Sequence, residues 1–126
     1  MVIFGIGTDI VQIARIEKGL QRFGDALAKR VLSKHEFIEF QQIAKPASYL
    51  AKRFAAKEAM AKAMGTGFQD GLQLKQIAVS NDDMGKPTFV LSGFAQDFIE
   101  SHGIAGAHLS LSDERDNAIA FVVLEK

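Results

Sequence analysis

The chain has 126 residues, 48% of them hydrophobic, and a formal net charge of zero from 15 basic and 15 acidic side chains. This length predicts one domain, residues 1–126, with a small core. A wholly basic nucleic-acid binder, a disulfide-built scaffold and a membrane-spanning chain are excluded, because the charge is balanced, cysteine is absent and no apolar run approaches about 18 residues. Residues 1–5 lack the basic segment of a secretory leader, so we expect a cytoplasmic protein.

The neutral total hides an uneven distribution of charge along the chain. Residues 10–62 hold eleven basic and five acidic side chains, whereas residues 63–126 hold four basic and nine acidic ones. The N-terminal half can therefore attract an anionic partner. Because no fingerprint of a nucleic-acid-binding fold is present, we expect an acidic protein or a phosphate-bearing small molecule rather than RNA or DNA.

The first predicted element is a strand over residues 2–10, a β-rich run interrupted by Gly5 and Gly7. Glycines inside a strand indicate that something approaches its backbone closely. Asp9 is the only charge in this run, and it fits two roles. It is either the N-cap of the helix that follows or, if a second carboxylate joins it, a metal ligand. The spacing of dinucleotide-binding and P-loop motifs is absent, so neither nucleotide fold is supported.

Three helical segments are predicted next, over residues 11–23, 25–32 and from 33 onward, where Ser33 and Glu36 form a capping-box pattern. In the first segment Arg15, Lys18 and Arg22 share one face. Such a stripe is either a solvated face or a docking surface for an acidic partner. The second interpretation is strengthened by nearby basic residues, namely Lys29, Arg30 and Lys34.

The central predicted helix starts at Pro46 and ends at Gly65, which suits a left-handed C-cap. One apolar stripe of this helix includes Lys57, and a buried charge must be paired or bind a ligand, because leaving it bare costs several kcal/mol. The other members of the stripe are Leu50, Phe54, Ala61 and Met64.

Two further charges lie beside that stripe, and Arg53 flanks its other side. Glu58 is one turn before Lys62 and faces the same way. The two form either an ordinary surface ion pair or a functional pair, in which the acid holds a cation and the base holds a phosphate.

The C-terminal half predicts antiparallel strands with one helix between them. A strand over 74–80, turn residues 81–87 and a strand over 88–91 form one hairpin; a helix follows over 93–101; strands over 107–112 and 118–124 form a second hairpin. The fold class is therefore α+β, with an N-terminal strand and several helices packed on an antiparallel sheet. The last strands are apolar on both faces, which predicts a helix on one side and another subunit on the other.

Four motifs occur along the chain in the order Gly5-Ile6-Gly7-Thr8-Asp9-Ile10-Val11, Lys52-Arg53-Phe54-Ala55-Ala56-Lys57-Glu58-Ala59 with Lys62-Ala63 and Gly65-Thr66-Gly67, Gly85-Lys86-Pro87, and His108-Leu109-Ser110-Leu111-Ser112. Taken together, these motifs resemble the holo-acyl-carrier-protein synthases, the small bacterial 4′-phosphopantetheinyl transferases. The resemblance covers essentially the whole chain, and its most specific part is the central helix. One departure is Asp113, where many members of that family have His.

This resemblance implies transfer of the phosphopantetheine arm of coenzyme A to a serine of apo acyl carrier protein, with release of adenosine 3′,5′-bisphosphate. It also implies a Mg²⁺ ion held by Asp9 and Glu58, since Mg²⁺ takes one or two carboxylates together with phosphate oxygens and water. Lys62 would bind the pyrophosphate and assist departure of the bisphosphate. The proton of the serine would go to a metal-bound water, to Glu58 or to Asp9.

Other residues gain ligand roles from the same resemblance. Arg53 and His108 suit the 3′-phosphate and ribose end of the coenzyme, while Gly65 and the pair Lys86-Pro87 would let backbone approach it. The alternatives are a solvated Arg53, a satisfied half-buried His108 and a Gly65 that is only a C-cap. The basic face of Arg15, Lys18 and Arg22 would dock the acidic carrier protein, and the family's homotrimer places the coenzyme between subunits.

Two other classes of function compete with the transferase. One is a non-catalytic module that binds coenzyme A or acyl carrier protein, and the other is a plain trimeric interaction domain. The pair of Asp9 and Glu58 favours the transferase, because a phosphate-binding module gains little from two carboxylates beside its basic groups.

Overall fold

The computed structural model describes residues 2–69 and 71–126. Its helices and strands follow the predicted order, and the α+β class is confirmed. The elements are β1 (Ile3–Gln12), α1 (Ile13–Phe23), α2 (Asp25–Val31), α3 (Lys34–Gln42), α4 (Pro46–Met64), a 3₁₀ turn (Leu74–Gln76), β2 (Ile77–Asn81), β3 (Pro87–Leu91), α5 (Gly93–Ser101), β4 (Gly106–Asp113) and β5 (Asn117–Glu125).

The main sheet has three antiparallel strands in the order β1-β5-β4, and β2 and β3 form a separate antiparallel pair. Both predicted hairpins are therefore confirmed. The inner face of β5 is buried under α4 through Ala118, Ala120, Val122 and Leu124. The outer face of the main sheet is apolar but exposed. Ile6 and Ile10 of β1 have 60% and 62% of their surface accessible to solvent. Strand alternation thus divides the sheet into a covered and an uncovered face.

Helix α4 packs on β1 at a distance that only glycine allows. A Cβ atom on Gly5 would lie 2.0 Å from the carbonyl oxygen of Ala63, and one on Gly7 would lie 1.9 Å from that of Ala59. The expectation that something approaches this strand backbone closely is confirmed. Because side chains alternate, Gly5, Gly7 and Asp9 share the inner face, so the same packing brings Asp9 to the helix.

A buried ion pair joins α4 to α3. Lys57 and Glu36 are both inaccessible to solvent, and Lys57 Nζ lies 2.7 Å from Glu36 Oε1. Lys57 also donates to the carbonyl oxygens of Val31 and Leu74, while Glu36 accepts from the backbone N–H of Val79. Burial lowers the pKa of Lys57, and the charge of Glu36 opposes that shift. The prediction that a charge inside the apolar stripe must be paired is confirmed.

The predicted caps of two helices are also present. Ser33 and Glu36 form the expected capping box at the start of α3. Gly65 ends α4 with φ 82° and ψ 5°, the left-handed conformation that favours glycine. Glu36 therefore serves both the cap and the buried pair, a second role that the local pattern did not indicate.

Two element boundaries differ from the prediction. Strand β1 continues to Gln12, because Val11 and Gln12 still pair with Ala118 and Asn117 of β5, and α1 begins only at Ile13. Asp9 lies within the strand, so its interpretation as an N-cap is wrong. The strand predicted over 74–80 is the 3₁₀ turn followed by β2.

The predicted domain, residues 1–126, includes Met1 and Asp70, and these two residues lie outside the described ones. Within residues 2–69 and 71–126, the helices are too short or too polar to cross a bilayer.

Replacing Gly7 with alanine tests the close packing of α4 on β1. We expect Gly7→Ala to lower the free energy of unfolding by about 3 kcal/mol, because the new methyl group meets helix backbone that cannot rotate away. Urea denaturation measures the loss. Gly19→Ala is the matched control, since its methyl group would meet only the Leu27 side chain, at 2.8 Å. Equal urea midpoints for Gly7→Ala and the unsubstituted protein would show that the strand and helix can separate at no cost.

Candidate active site

Asp9 and Lys62 meet where α4 crosses β1. Lys62 Nζ lies 3.1 Å from Asp9 Oδ1 and donates to the carbonyl oxygen of Thr8 at 2.9 Å. Lys62 is exposed, whereas Asp9 is mostly covered. Among the described residues, the ion-pair partner of Lys62 is thus Asp9 and not Glu58, so the simple surface pair of Glu58 and Lys62 is wrong.

Glu58 lies in the same cleft as Asp9. Partial burial raises the pKa of its carboxyl group; the negative charge of Asp9 raises it further, and Lys62 opposes both. The Asp9 carboxylate is therefore close enough to Glu58 to raise the pKa of that side chain. Two neighbouring carboxylates can bind one cation through oxygen atoms of both side chains.

The cleft that contains both carboxylates has a volume of about 420 Å³. Arg15 lines it together with Asp9 and Glu58, so one end is charged. The remaining wall, formed largely by α1, α2 and α4, is mainly apolar and includes Ile16, Gly19, Phe23, Leu27 and Phe54. The arrangement suits a ligand with a charged head and a less polar arm.

A larger groove of about 760 Å³ lies on the other side of α1, between the start of α4 and the β4–β5 turn. It contains neither carboxylate, and its lining mixes acidic with basic side chains. Chemistry rather than size therefore identifies the smaller cleft as the candidate active site.

Arg53 is only 4% exposed, so its interpretation as a solvated flank is wrong. Its Nε lies 3.5 Å from Glu36 Oε2, one terminal nitrogen lies 3.7 Å from Glu39 Oε1, and the guanidinium sits 4.5 Å above the ring of Tyr49. The guanidinium is therefore engaged within the chain. A contact between Arg53 and a phosphate stays a prediction. It would require Arg53 to exchange its ion pair with the more exposed Glu39 for one with the phosphate.

The other predicted ligand residues lie away from the cleft in a single chain. Gly65 is at the end of α4, Lys86 and Pro87 are at the β2–β3 turn, and His108 is on the outer face of β4. None of them lines the cleft of Asp9 and Glu58. Of the predicted site residues, the structure thus brings Asp9, Glu58 and Arg15 together in the cleft and pairs Lys62 with Asp9, while Lys18 and Arg22 are exposed on α1.

Asp113, the departure from the family pattern, faces α4. Its carboxylate lies 3.6 Å from Lys52 Nζ and accepts a hydrogen bond from Ser48 at 3.4 Å. The side chain thus links the end of β4 to the first half of α4. This contact accounts for an acidic residue at that position.

Sequence reasoning missed two acidic partners. Glu36, the partner of Lys57 and Arg53, was recognised only as a cap. Glu125 pairs with His108 and was not singled out; the register of the short β4–β5 hairpin, which places it opposite Gly106, is the signal that could have found it. The described part of the chain holds no cluster of three or more potential metal ligands, so any metal here must rely on two carboxylates and on oxygen atoms from water or substrate.

Comparison with known proteins decides the family. The model of the 4′-phosphopantetheinyl transferase superfamily matches residues 5–122. This chain belongs to that superfamily. The resemblance inferred from the four motifs is confirmed.

Close relatives of this phosphopantetheinyl transferase share its full length. It is 51% identical over 125 residues to the holo-[acyl-carrier-protein] synthase of Vibrio parahaemolyticus, covering 99% of both chains. The structure of the Neisseria meningitidis synthase superposes with a TM-score of 0.94 at 48% identity, covering 98% of this chain and 99% of that one. The Bacillus anthracis synthase, described in complex with CoA (3′,5′-ADP), gives 0.83 at 37% identity, covering 100% and 99%. These structures confirm the predicted fold.

The raised pKa of Glu58 predicts an effect on stability. Folding favours the protonated carboxyl, so its contribution is fully present below the ordinary pKa of 4.5 and is lost as the pH rises through the raised folded-state pKa. Near neutral pH the ionised group therefore costs stability. Glu58→Gln should raise the urea midpoint near pH 7 in the absence of divalent ions and change it little below pH 4.5.

The matched control is Glu114→Gln, which neutralises an exposed carboxylate in the β4–β5 turn. We expect this variant to leave the urea midpoint almost unchanged at both pH values. A lower urea midpoint for Glu58→Gln near neutral pH would contradict the inference that the ionised Glu58 carboxylate destabilises the folded protein.

Proposed function

We propose that this protein transfers the 4′-phosphopantetheine arm of coenzyme A to a serine of apo acyl carrier protein, releasing adenosine 3′,5′-bisphosphate and activating the carrier for fatty acid synthesis. The observation that supports it most is that Asp9 of β1 and Glu58 of α4 line one cleft, while Lys62, one turn further along α4, forms an ion pair with Asp9. Relatives described as holo-[acyl-carrier-protein] synthases, including one in complex with coenzyme A from Helicobacter pylori, support the same activity.

The chemistry of the cleft fits Mg²⁺. This small, hard ion binds protein through one or two carboxylates and completes its coordination with water and phosphate oxygens. Asp9 and Glu58 supply two such carboxylates. Burial first, and then the charge of Asp9, raise the pKa of Glu58, and a cation beside both groups would favour its ionised form. When bound, the ion would offset the negative charge that builds up on the pyrophosphate.

Lys62 and Arg15 surround the carboxylates with positive charge. Lys62 already reaches Asp9, and its exposed amine can turn to a pyrophosphate oxygen and favour departure of the bisphosphate. Arg15 stands in the same cleft at the start of the basic face. A carrier docked on that face would present its serine near the charged end of the cleft, where attack in line with the leaving group is required.

The proposed active enzyme is a cytoplasmic homotrimer with active sites between subunits. Two observations support the assembly. The outer face of the main sheet exposes several large apolar side chains together, namely Ile6, Ile10, Ile119 and Phe121. Grouped apolar residues of this kind, unlike scattered ones, mark interaction surfaces. The predicted coenzyme ligands Gly65, Lys86, Pro87 and His108 lie away from the cleft of their own chain, so a neighbouring subunit would have to supply them.

The first experiment follows modification of the carrier by mass spectrometry. Apo acyl carrier protein incubated with this protein, coenzyme A and Mg²⁺ should gain the mass of one phosphopantetheine arm. Glu58→Gln should lower the rate at least about a hundredfold, because it removes a metal ligand. Mg²⁺ should also raise the urea midpoint of the unsubstituted protein and not that of Glu58→Gln.

Glu114→Gln is again the matched control and should modify the carrier at the normal rate. A carrier that binds but gains no mass would point to the non-catalytic binding module instead. Full activity in Glu58→Gln would remove the metal assignment while leaving the transferase in place.

The second experiment reverses charge on the basic face. Arg15→Glu with Arg22→Glu should raise the KM for acyl carrier protein about tenfold at low salt, because like charges slow the encounter, and should change the KM for coenzyme A much less. The effect should shrink as salt is added. Lys75→Glu with Arg115→Glu makes the same change in net charge elsewhere and should not alter carrier kinetics. Equal carrier kinetics in both double variants at low salt would place the docking face elsewhere.

A further inference from the structure

His108 and Glu125 form a close pair on the outer face of the main sheet. His108 Nε2 lies 2.8 Å from Glu125 Oε1, and the two side chains are 55% and 23% exposed. A carboxylate only accepts hydrogen bonds, so Nε2 must carry the hydrogen and donate it. The ring therefore keeps a fixed orientation and leaves Nδ1 as the nitrogen available to a ligand.

Gly106 provides the space for this pair. It lies opposite Glu125 in the register of β4 and β5. A Cβ atom on Gly106 would lie 3.0 Å from His108 Nε2 and 3.1 Å from Glu125 Oε1, closer than such contacts normally are. Gly106 is not among the glycines with positive φ, so its backbone conformation does not require glycine. Room for the imidazole and the carboxylate explains the residue instead.

The pair has the features of a support for a ligand-binding histidine. An ion pair this exposed contributes little to stability. Glu125 itself is well anchored, because it pairs with both Ile3 and Gly106 on the central strand and its carbonyl oxygen accepts from Ala105 N–H at 2.8 Å. A carboxylate on an anchored strand behind an exposed imidazole is the arrangement that orients histidine at many binding sites.

We infer that Glu125, in the space left by Gly106, is a positioning residue that holds the His108 imidazole for the 3′-phosphate of coenzyme A. The inference rests on the proposed function, in which His108 contacts that end of the coenzyme. An imidazolium donates from both ring nitrogens, so the ring can bridge the Glu125 carboxylate and a phosphate oxygen. Without Glu125 the ring would rotate more freely, and the loss of that rotational entropy on binding would lower the affinity for the coenzyme.

The test compares coenzyme A with dephospho-coenzyme A, which lacks only the 3′-phosphate. The readout is the ratio of kcat/KM for the two substrates. His108→Ala should lower this ratio about tenfold, because it removes a charged hydrogen bond to the phosphate. Glu125→Ala should lower it by a similar factor, and Glu125→Gln, which keeps an acceptor, by less. Gly106→Ala should lower it without any change of charge. The KM for acyl carrier protein should stay constant throughout.

The double variant separates positioning from a general structural effect. If Glu125 acts through His108, Glu125→Ala should lower the ratio no further in a His108→Ala background. Glu100→Gln is the matched control, since Glu100 also accepts a hydrogen bond from a side chain, Gln96, on a different surface. It should leave the ratio unchanged.

Each outcome assigns the failure to one step. A normal ratio in His108→Ala would overturn the phosphate contact of His108 and the inference with it, whereas the transferase itself is judged by the mass of the carrier. A low ratio in His108→Ala but a normal one in Glu125→Gln, Glu125→Ala and Gly106→Ala would overturn the positioning role alone. A further loss in the double variant would show that Glu125 acts by another route.

Discussion

The structure depends on the contact between the backbone of β1 and the backbone of α4. Side chains normally keep a helix and a strand apart, but Gly5 and Gly7 have none, and the carbonyl oxygens of Ala59 and Ala63 occupy the space where Cβ atoms would be. At this separation the next inward-facing residue of the strand, Asp9, reaches the helix. The amine of Lys62 can then bond both its carboxylate and the neighbouring backbone carbonyl. The candidate site is therefore a consequence of two missing side chains.

The opposite side of α4 is held by charges rather than by close backbone packing. Lys57 is buried between α2, α3 and the 3₁₀ turn, and Glu36 compensates it. Replacing a buried ion pair by apolar residues often costs no stability, so the network is better explained as a device that fixes which surfaces meet α4. The adjacent residues Lys57 and Glu58 show the two effects of burial on ionisation, since the pKa of the lysine is lowered and that of the glutamate is raised. The paired charge of Lys57 lies in the core, and the Glu58 carboxyl group, whose ionised form is disfavoured, faces the cleft.

Local patterns predicted most helices and strands, because caps, periodicity and turn residues act over a few positions. They predicted the capping box at Ser33 and the left-handed cap at Gly65 for this reason. They could not predict the partners of Arg53 or the choice of Asp9 over Glu58 by Lys62, since these depend on segments far apart in sequence. The glycine spacing of β1 did indicate a close approach to its backbone, but local sequence did not indicate that α4 is the element that approaches. The pairing of Asp9 with Glu58 as a site came from the family resemblance, and residues 74–76 were misassigned because a single 3₁₀ turn has no period of its own.

The alternation of β1 links the candidate site to the proposed assembly. Asp9 faces α4, whereas its neighbour Ile10 faces outward with Ile6, Ile119 and Phe121. A subunit that covers this apolar face would restrain the same strand that presents the carboxylate. It would also bring a second chain's sheet surface near the cleft, and that surface is where His108 and Glu125 lie. Assembly and the geometry of the site would then not be independent, because a shift of β1 in either direction alters both. If the active sites lie between subunits as proposed, this coupling would give the arrangement a physical reason, because a chain of this size has only a small core with which to hold the site rigid.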